Sequence, residues 1–237
     1  LASYTLFPDL LRLTKTEWNR QVVLQHTGAD CTVVGPSVDI DLFRPRRTAS
    51  PAWPACPLRI AAMIRPSTPR RQPALTMQVL QEISHRHGGG IEIILFGCAP
   101  HDPGFLKLPR DFPWRHAGLL TPAQLAHLLS EVDIFVDFSA FQAMGLTALE
   151  AMACGAAVIA PQAGGAASFA RHEENALLID TASAEACVAA LDRLVRDETL
   201  RFNLQQAAIF DACQYFPERA AFNILGALFP FHTAEAL

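Results

Sequence analysis

Lysine is nearly absent. Only Lys15 and Lys107 are lysines among 19 basic residues, and the other 17 are arginines. A planar guanidinium grips a phosphate through two hydrogen bonds where an ammonium offers a point charge, so the bias fits anion recognition as well as a general arginine-rich composition. A positive excess is also lacking: 19 bases against 23 acids leave a net charge of −4, which excludes the strongly basic footprint of a nucleic-acid binder. No apolar run approaches the roughly 18 to 20 residues that span a bilayer, and the opening Leu1-Ala2-Ser3 has neither a Met nor a basic signal region. The expectation is a chain excised from a longer cytoplasmic protein. The six cysteines form no C-x-x-C pair and have no clustered His, so neither a zinc site nor a disulfide framework is signalled. Gly88-Gly89-Gly90 does not match G-x-G-x-x-G after a strand, which counts against a dinucleotide cofactor and reads as a helix-ending turn.

What is present is the composition of a globular domain. At 237 residues, 51% hydrophobic and 18% charged, the chain can bury roughly 70 to 75% of its unfolded surface. Charge is unevenly spread. From Leu42 to Gln81 there are seven arginines (Arg44, Arg46, Arg47, Arg59, Arg65, Arg70, Arg71) and no acid, while from Glu131 onward acids outnumber bases fourteen to five.

From Leu58 the pattern alternates. Short apolar runs at 58–64, 91–96, 133–138, 156–160 and 176–179 have the character of strands buried on both faces. Helical spacing falls between and after them, at 72–86, 122–130, 145–154 and 183–196, with Thr121-Pro122 and Ser183 as start signals. Alternation of this kind predicts an α/β, Rossmann-like parallel sheet with helices on both faces. The start of the chain holds one helix near 16–26 and a short strand at 31–34, which leads into a Pro- and Arg-rich linker over 36–57. Two more helices, at 198–214 and 218–229, close the chain, the last with Phe222, Leu225, Leu228 and Phe229 on an apolar face that needs a partner.

Ligands of open parallel sheets bind beyond the carboxyl ends of the strands. After the first main strand comes Arg65-Pro66-Ser67-Thr68-Pro69-Arg70-Arg71, where two prolines restrain a loop whose guanidiniums can converge on a diphosphate. After the third comes Ser139 to Thr147, running into a helix whose first turn aims free N–H groups at the same cleft. Glu150 lies further along that otherwise apolar helix. A buried carboxylate demands a polar partner, and a ribose diol or a neighbouring Arg would each serve.

Phe141 to Gly155 (FQAMGLTALEAMACG) resembles the E-G-F-G-L-x-x-L-E-A-M-A-x-G signature of retaining, nucleotide-sugar-dependent glycosyltransferases of the GT-B fold, glycosyltransferase group 1 (family GT4). Val38 to Pro45 resembles the linker entering the C-terminal domain of such enzymes. The resemblance implies residues 1–45 as a remnant of the N-terminal domain and linker, 46–215 as the nucleotide-sugar-binding domain and 216–237 as the C-terminal crossing helix. It also implies a metal-independent hexosyl-type transfer, without further cofactor, from a nucleoside-diphosphate sugar to a saccharide or lipid-linked acceptor. Carried over by position, Arg65 and Arg70 bind the donor diphosphate together with the amides of Gly145, Leu146 and Thr147. Glu150 holds the ribose, the backbone near Leu119 the nucleobase, and Gln142 stands with the two arginines as catalytic. The pattern departs where the signature's first glutamate is Gln142, its Gly-Phe pair is Ala143-Met144, and a later glutamate is Ser168. Two readings follow: a transferase domain serving bacterial polysaccharide assembly with a missing N-terminal partner domain, or a catalytically incomplete nucleotide-sugar-binding module. Asp39-Ile40-Asp41 is a D-x-D sequence, but its linker context favours a turn cap over a metal site. His101, His116 and His127 have no ligand-spaced carboxylate or Cys and read as structural.

Overall fold

The computed structural model describes residues 2–7, 9–46 and 57–229; Arg47 and Cys56 of the linker and residues 230–237 of the expected last helix lie outside the described residues. The chain opens on a small unit in which β1 (Leu13–Thr14) and β2 (Thr32–Val33) pair in parallel around α1 (Glu17–Thr27). Thr16, fully buried, caps α1 by accepting from Asn19 N at 3.2 Å, and Gly28 ends it at φ +70°, a conformation that costs an L residue with a side chain.

The linker is part of the body. Val38 and Phe43 are buried in the main core, and Val38 N donates to Tyr215 O at 2.8 Å. Asp39 Oδ1 accepts from Asp41 N at 3.1 Å and Leu42 N at 3.0 Å, so this D-x-D acid caps a turn, as its context suggests.

The body is one sheet of six parallel strands. Along the chain run β3 (Leu58–Met63), α2 (Pro73–His87), β4 (Ile91–Phe96), β5 (Arg115–Gly118), α3 (Pro122–Leu129), β6 (Ile134–Val136), α4 (Leu146–Ala153), β7 (Ala157–Pro161), β8 (Leu177–Ile179), α5 (Ala184–Arg196), α6 (Glu198–Ala212) and α7 (Pro217–Leu228). The strand order is β5-β4-β3-β6-β7-β8, every pair parallel. Side chains alternate across it. Ala61, Ile94, Phe135 and Val158 face α3, α4 and α6, while Ile60, Ile93, Ile134 and Ile159 face α2 and α5. Burial on both faces explains why the strands read as continuous apolar runs.

This order puts a switch point between β3 and β6. The chain begins in the middle of the sheet, builds outward to β5, then returns to β6 on the other side of β3. The loops leaving β3 and β6 therefore diverge at adjacent carboxyl ends and open a crevice. Strand β5 was not anticipated: its RHAG sequence is polar and half-exposed, and its register with β4 shifts between Leu95 and Phe96. On α7, Phe222, Leu225, Leu228 and Phe229 remain exposed.

Candidate functional site

Three guanidiniums crowd the carboxyl end of β3. Arg65 begins the loop, which tightens through Thr68 N donating to Arg65 O at 3.0 Å and Gln72 N donating to Pro69 O at 2.9 Å. Arg70 and Arg71 follow on that 3₁₀ turn. Arg71 lies deepest, and its affinity for a proton is lowered first by burial, then by the charges of Arg70 and Arg65, against the opposing pull of Asp137. The three cations therefore feel one another. The Arg65 guanidinium makes no hydrogen bond or ion pair among the described residues.

The second loop leaves β6 with Asp137, whose N donates to Ile159 O at 2.9 Å and whose carboxylate is 8% exposed. Asp137 Oδ1 accepts from Ser139 N at 3.0 Å and from the Ser139 hydroxyl; Oδ2 accepts from Gln142 Nε2 at 2.8 Å and Arg71 Nη1 at 3.2 Å. Gln142, buried, also donates to Ser139 Oγ at 2.7 Å and accepts from Arg70 Nη1 at 3.0 Å. Arg70 reaches Phe141 O at 3.4 Å, and its guanidinium lies 5.8 Å from the Phe141 ring centroid. Ala140 N donates to Arg70 O at 2.8 Å, stitching the two loops by backbone as well.

Neighbouring segments clamp this loop. A Cβ on Gly164 would lie 2.2 Å from Gln142 O, and Gly165 N donates to Gln142 O at 2.7 Å. Thr16 Oγ1 donates to Ala143 O at 2.9 Å, and Trp18 stacks on Phe141 with ring centroids 5.5 Å apart. From the far side, Thr181 Oγ1 donates to Ser139 O at 2.7 Å, while Gln72 Nε2 donates to Phe138 O at 2.9 Å and Thr181 O at 3.2 Å.

Three residues beyond Gln142, Gly145 opens α4 at φ +83° with no side-chain cap. The left-handed turn is what swings the helix start into place, and glycine adopts it without strain. Leu146 is exposed at this start, where Ala148 N donates to Gly145 O at 3.0 Å and no cap side chain bonds the first turn. Glu150 lies in the same helix, 8% exposed, and forms no ion pair among the described residues. Its carboxyl is pushed up to about 7 by burial, partly offset by a hydrogen bond from the Thr147 side chain. Leu119 is 69% exposed and follows Gly118 at the end of β5. The structure thus joins Arg70 to Gln142 directly and sets Arg65 beside them. Among the described residues no hydrogen bond or ion pair links Leu119, Gly145 or Glu150 to the arginines.

The sequence reading did not single out Asp137, and it placed Ser139 and Arg71 in the two loops without giving either a role. Their signal was present as an acid at the end of an apolar run, followed two residues later by a serine, the spacing of a side-chain-capped turn. Away from the crevice, His116 Nε2 lies 3.8 Å from Cys98 Sγ, and His116 Nδ1 accepts from Gly118 N at 3.1 Å. Burial and then Asp102 push the Cys98 thiol up to about 11, the opposite of an activated nucleophile.

Residues 115–209 match the family model described as glycosyl transferases group 1. The D-inositol 3-phosphate glycosyltransferase of Mycobacterium tuberculosis is 29% identical over 204 residues, covering 79% of this chain and 41% of that protein. The chain spans less than half the length of that curated relative. Among solved structures, the C-terminal domain of a glycosyl transferase group 1 family protein from Francisella tularensis aligns at TM-score 0.62 and 23% identity, over 75% of this chain and 97% of that one. The Anabaena protein HepE, solved with UDP and glucose, aligns at TM-score 0.76 and 18% identity, over 93% of this chain and 63% of that one. The segment from Arg115 to Ile209 is thus similar to glycosyl transferases group 1, and the six-stranded parallel sheet matches the Rossmann-like C-terminal domain of GT-B proteins.

Proposed function

We propose that the crevice between the β3 and β6 loops binds the diphosphate of a nucleotide sugar, and that with an acceptor-binding partner domain the protein transfers the sugar to a saccharide or lipid-linked acceptor. The observation that carries this reading is the local charge. Arg65, Arg70 and Arg71 converge where one carboxylate, Asp137, is bonded to Arg71, and the Arg65 guanidinium has no partner among the described residues. An excess of guanidinium beside an uncapped helix start suits a pyrophosphate.

In a retaining transfer the sugar departs through an oxocarbenium-like transition state, and negative charge accumulates on the leaving phosphate oxygens. Arg65 and Arg70 would stabilise that charge as preorganised donors, each by about 2.7 to 4 kcal/mol on the scale of oxyanion-site deletions. The α4 start adds about 0.3 to 1 kcal/mol. Guanidiniums thus supply the charge compensation, and the mechanism needs no metal. Glu150 accepts the ribose hydroxyls, and the backbone at Gly118-Leu119 meets the base. A binding module without turnover is the second reading, favoured by Gln142: it is buried and both ends of its amide are engaged internally.

Thermal shift with the diphosphates of uridine, guanosine, thymidine and adenosine tests the proposal. A ligand at a hundred times its dissociation constant adds about 2.7 kcal/mol, or roughly 5 to 11 °C for a chain of this size. A response to one base names the donor class, and no response to any of the four refutes the site. Donor hydrolysis in a protein that includes the partner domain separates transferase from module.

A further inference from the structure

We propose that Asp137 is a positioning residue for Arg70, acting through the side-chain amide of Gln142. The inference rests on the reading of Arg70 as a diphosphate ligand for its purpose, though not for its geometry. A primary amide carries two donors at one end and an acceptor at the other. Around Gln142 both N–H groups are claimed, by Asp137 Oδ2 at 2.8 Å and Ser139 Oγ at 2.7 Å. The Ser139 hydroxyl gives its single proton to Asp137 Oδ1, so Asp137 also decides that this oxygen is an acceptor toward Gln142. The Gln142 oxygen is then left to face Arg70 Nη1 at 3.0 Å. Inverting the amide would set oxygen against carboxylate and N–H against guanidinium, two repulsions at once. One buried charge therefore fixes both neighbouring cations, Arg71 by a direct ion pair and Arg70 through a neutral relay.

The relay explains how an exposed arginine is held without being neutralised. Among the described residues the Arg70 guanidinium is bonded only to neutral acceptors, the Gln142 amide and Phe141 O, and rests on a Phe141 ring that Trp18 backs. Its charge stays available to an anion, whereas a carboxylate in the place of Gln142 would compete with that anion.

Three variants test the relay: Asp137→Asn, Gln142→Glu and the two combined. In Asp137→Asn the new amide can donate to the Gln142 oxygen, which frees the flip. In Gln142→Glu two carboxylates meet at about the 2.8 Å now spanned by a hydrogen bond. Each single change should weaken UDP binding by about tenfold, and the swap, which restores one carboxylate facing one amide but sets that carboxylate against Arg70, should lose no more than either single variant. Residues with a merely structural role would show losses that multiply in the double variant, and that result overturns the proposal. A ligand-free readout runs alongside. ¹⁵N–¹H spectra of the arginine Nη groups should show Arg70 as slowly rotating in the parent and the swap, and averaged in either single variant. Unchanged Arg70 signals in Asp137→Asn overturn the relay whatever UDP does. If the signals move as expected while UDP affinity stays constant, the relay stands and the assignment of Arg70 to the diphosphate fails. Should Asp137→Asn not fold, Gln142→Met, which leaves the Arg71–Asp137 pair intact, must release Arg70 by the same spectra, and an unreleased Arg70 overturns the proposal.

Discussion

Glu150→Gln isolates a buried acid that forms no ion pair among the described residues. Burial raises its carboxyl to about 7 from an ordinary 4.5, so the native state holds a proton that the unfolded state has released. Stability contributed by that proton is complete below about pH 4.5 and is lost as pH rises through 7. Across that window the loss approaches about 3 kcal/mol, at 1.36 kcal/mol per unit. The variant lacks the titration. Its melting temperature should therefore gain on that of the parent between pH 5 and 8, by roughly 6 to 12 °C at the top of the range. Calorimetric melts of both proteins across this range give the difference directly, and other titrating groups cancel in it. Parallel curves would refute the argument that Glu150 is desolvated and unpaired. A bound nucleotide adds a second signature: ribose hydroxyls donate to the ionised form, so binding at pH 6 should release a proton, visible as a dependence of the binding enthalpy on the buffer.

Arg65→Ala should weaken nucleoside-diphosphate binding by about 1.5 to 3 kcal/mol, the worth of a hydrogen bond to a charged group, and Thr147→Ala by less; equal titration isotherms for the two variants would remove the arginines from the mechanism. Gly164→Ala would drive a Cβ into Gln142 O at 2.2 Å with φ at +116°, so the β6 loop must shift. The expected outcome is lost nucleotide binding at a melting temperature below that of the parent, and an unaltered binding isotherm would show that the clamp is dispensable. Leu149→Ala, at a fully buried α4 position, should cost about 2 to 5 kcal/mol in urea unfolding without changing which nucleotide binds.

The main strands were legible because each is buried on both faces and reads as an unbroken apolar run, and the helices between them carried clear start signals. Thr121 and Ser183 cap α3 and α5 as their positions suggest. Strand β5 was not legible, since an edge strand held by backbone pairing needs no apolar sequence, and Arg115 and His116 resemble a loop. Of the proposed site, Arg65 and Arg70 after β3 and Gly145 and Glu150 after β6 were picked out by their positions beyond strand ends. The role of Asp137 could not, because it sits one residue past an apolar strand and its partners lie on three separate segments. Gln142 shows the same limit from the other side: its residue type suggests an amide facing a ligand, and its surroundings turn that amide inward.

Thr181, Ser139, Gln72 and Arg70 tie together the ends of β8, β6 and the loop after β3 through 2.7, 3.2 and 2.8 Å hydrogen bonds. Rupturing any one seam exposes the polar atoms of the next, so the rim opens as a single unit or stays shut. Amide exchange at Ser139 and Ala140 would then slow in concert, and a nucleotide gripping only the arginines would lengthen protection as far away as Thr181.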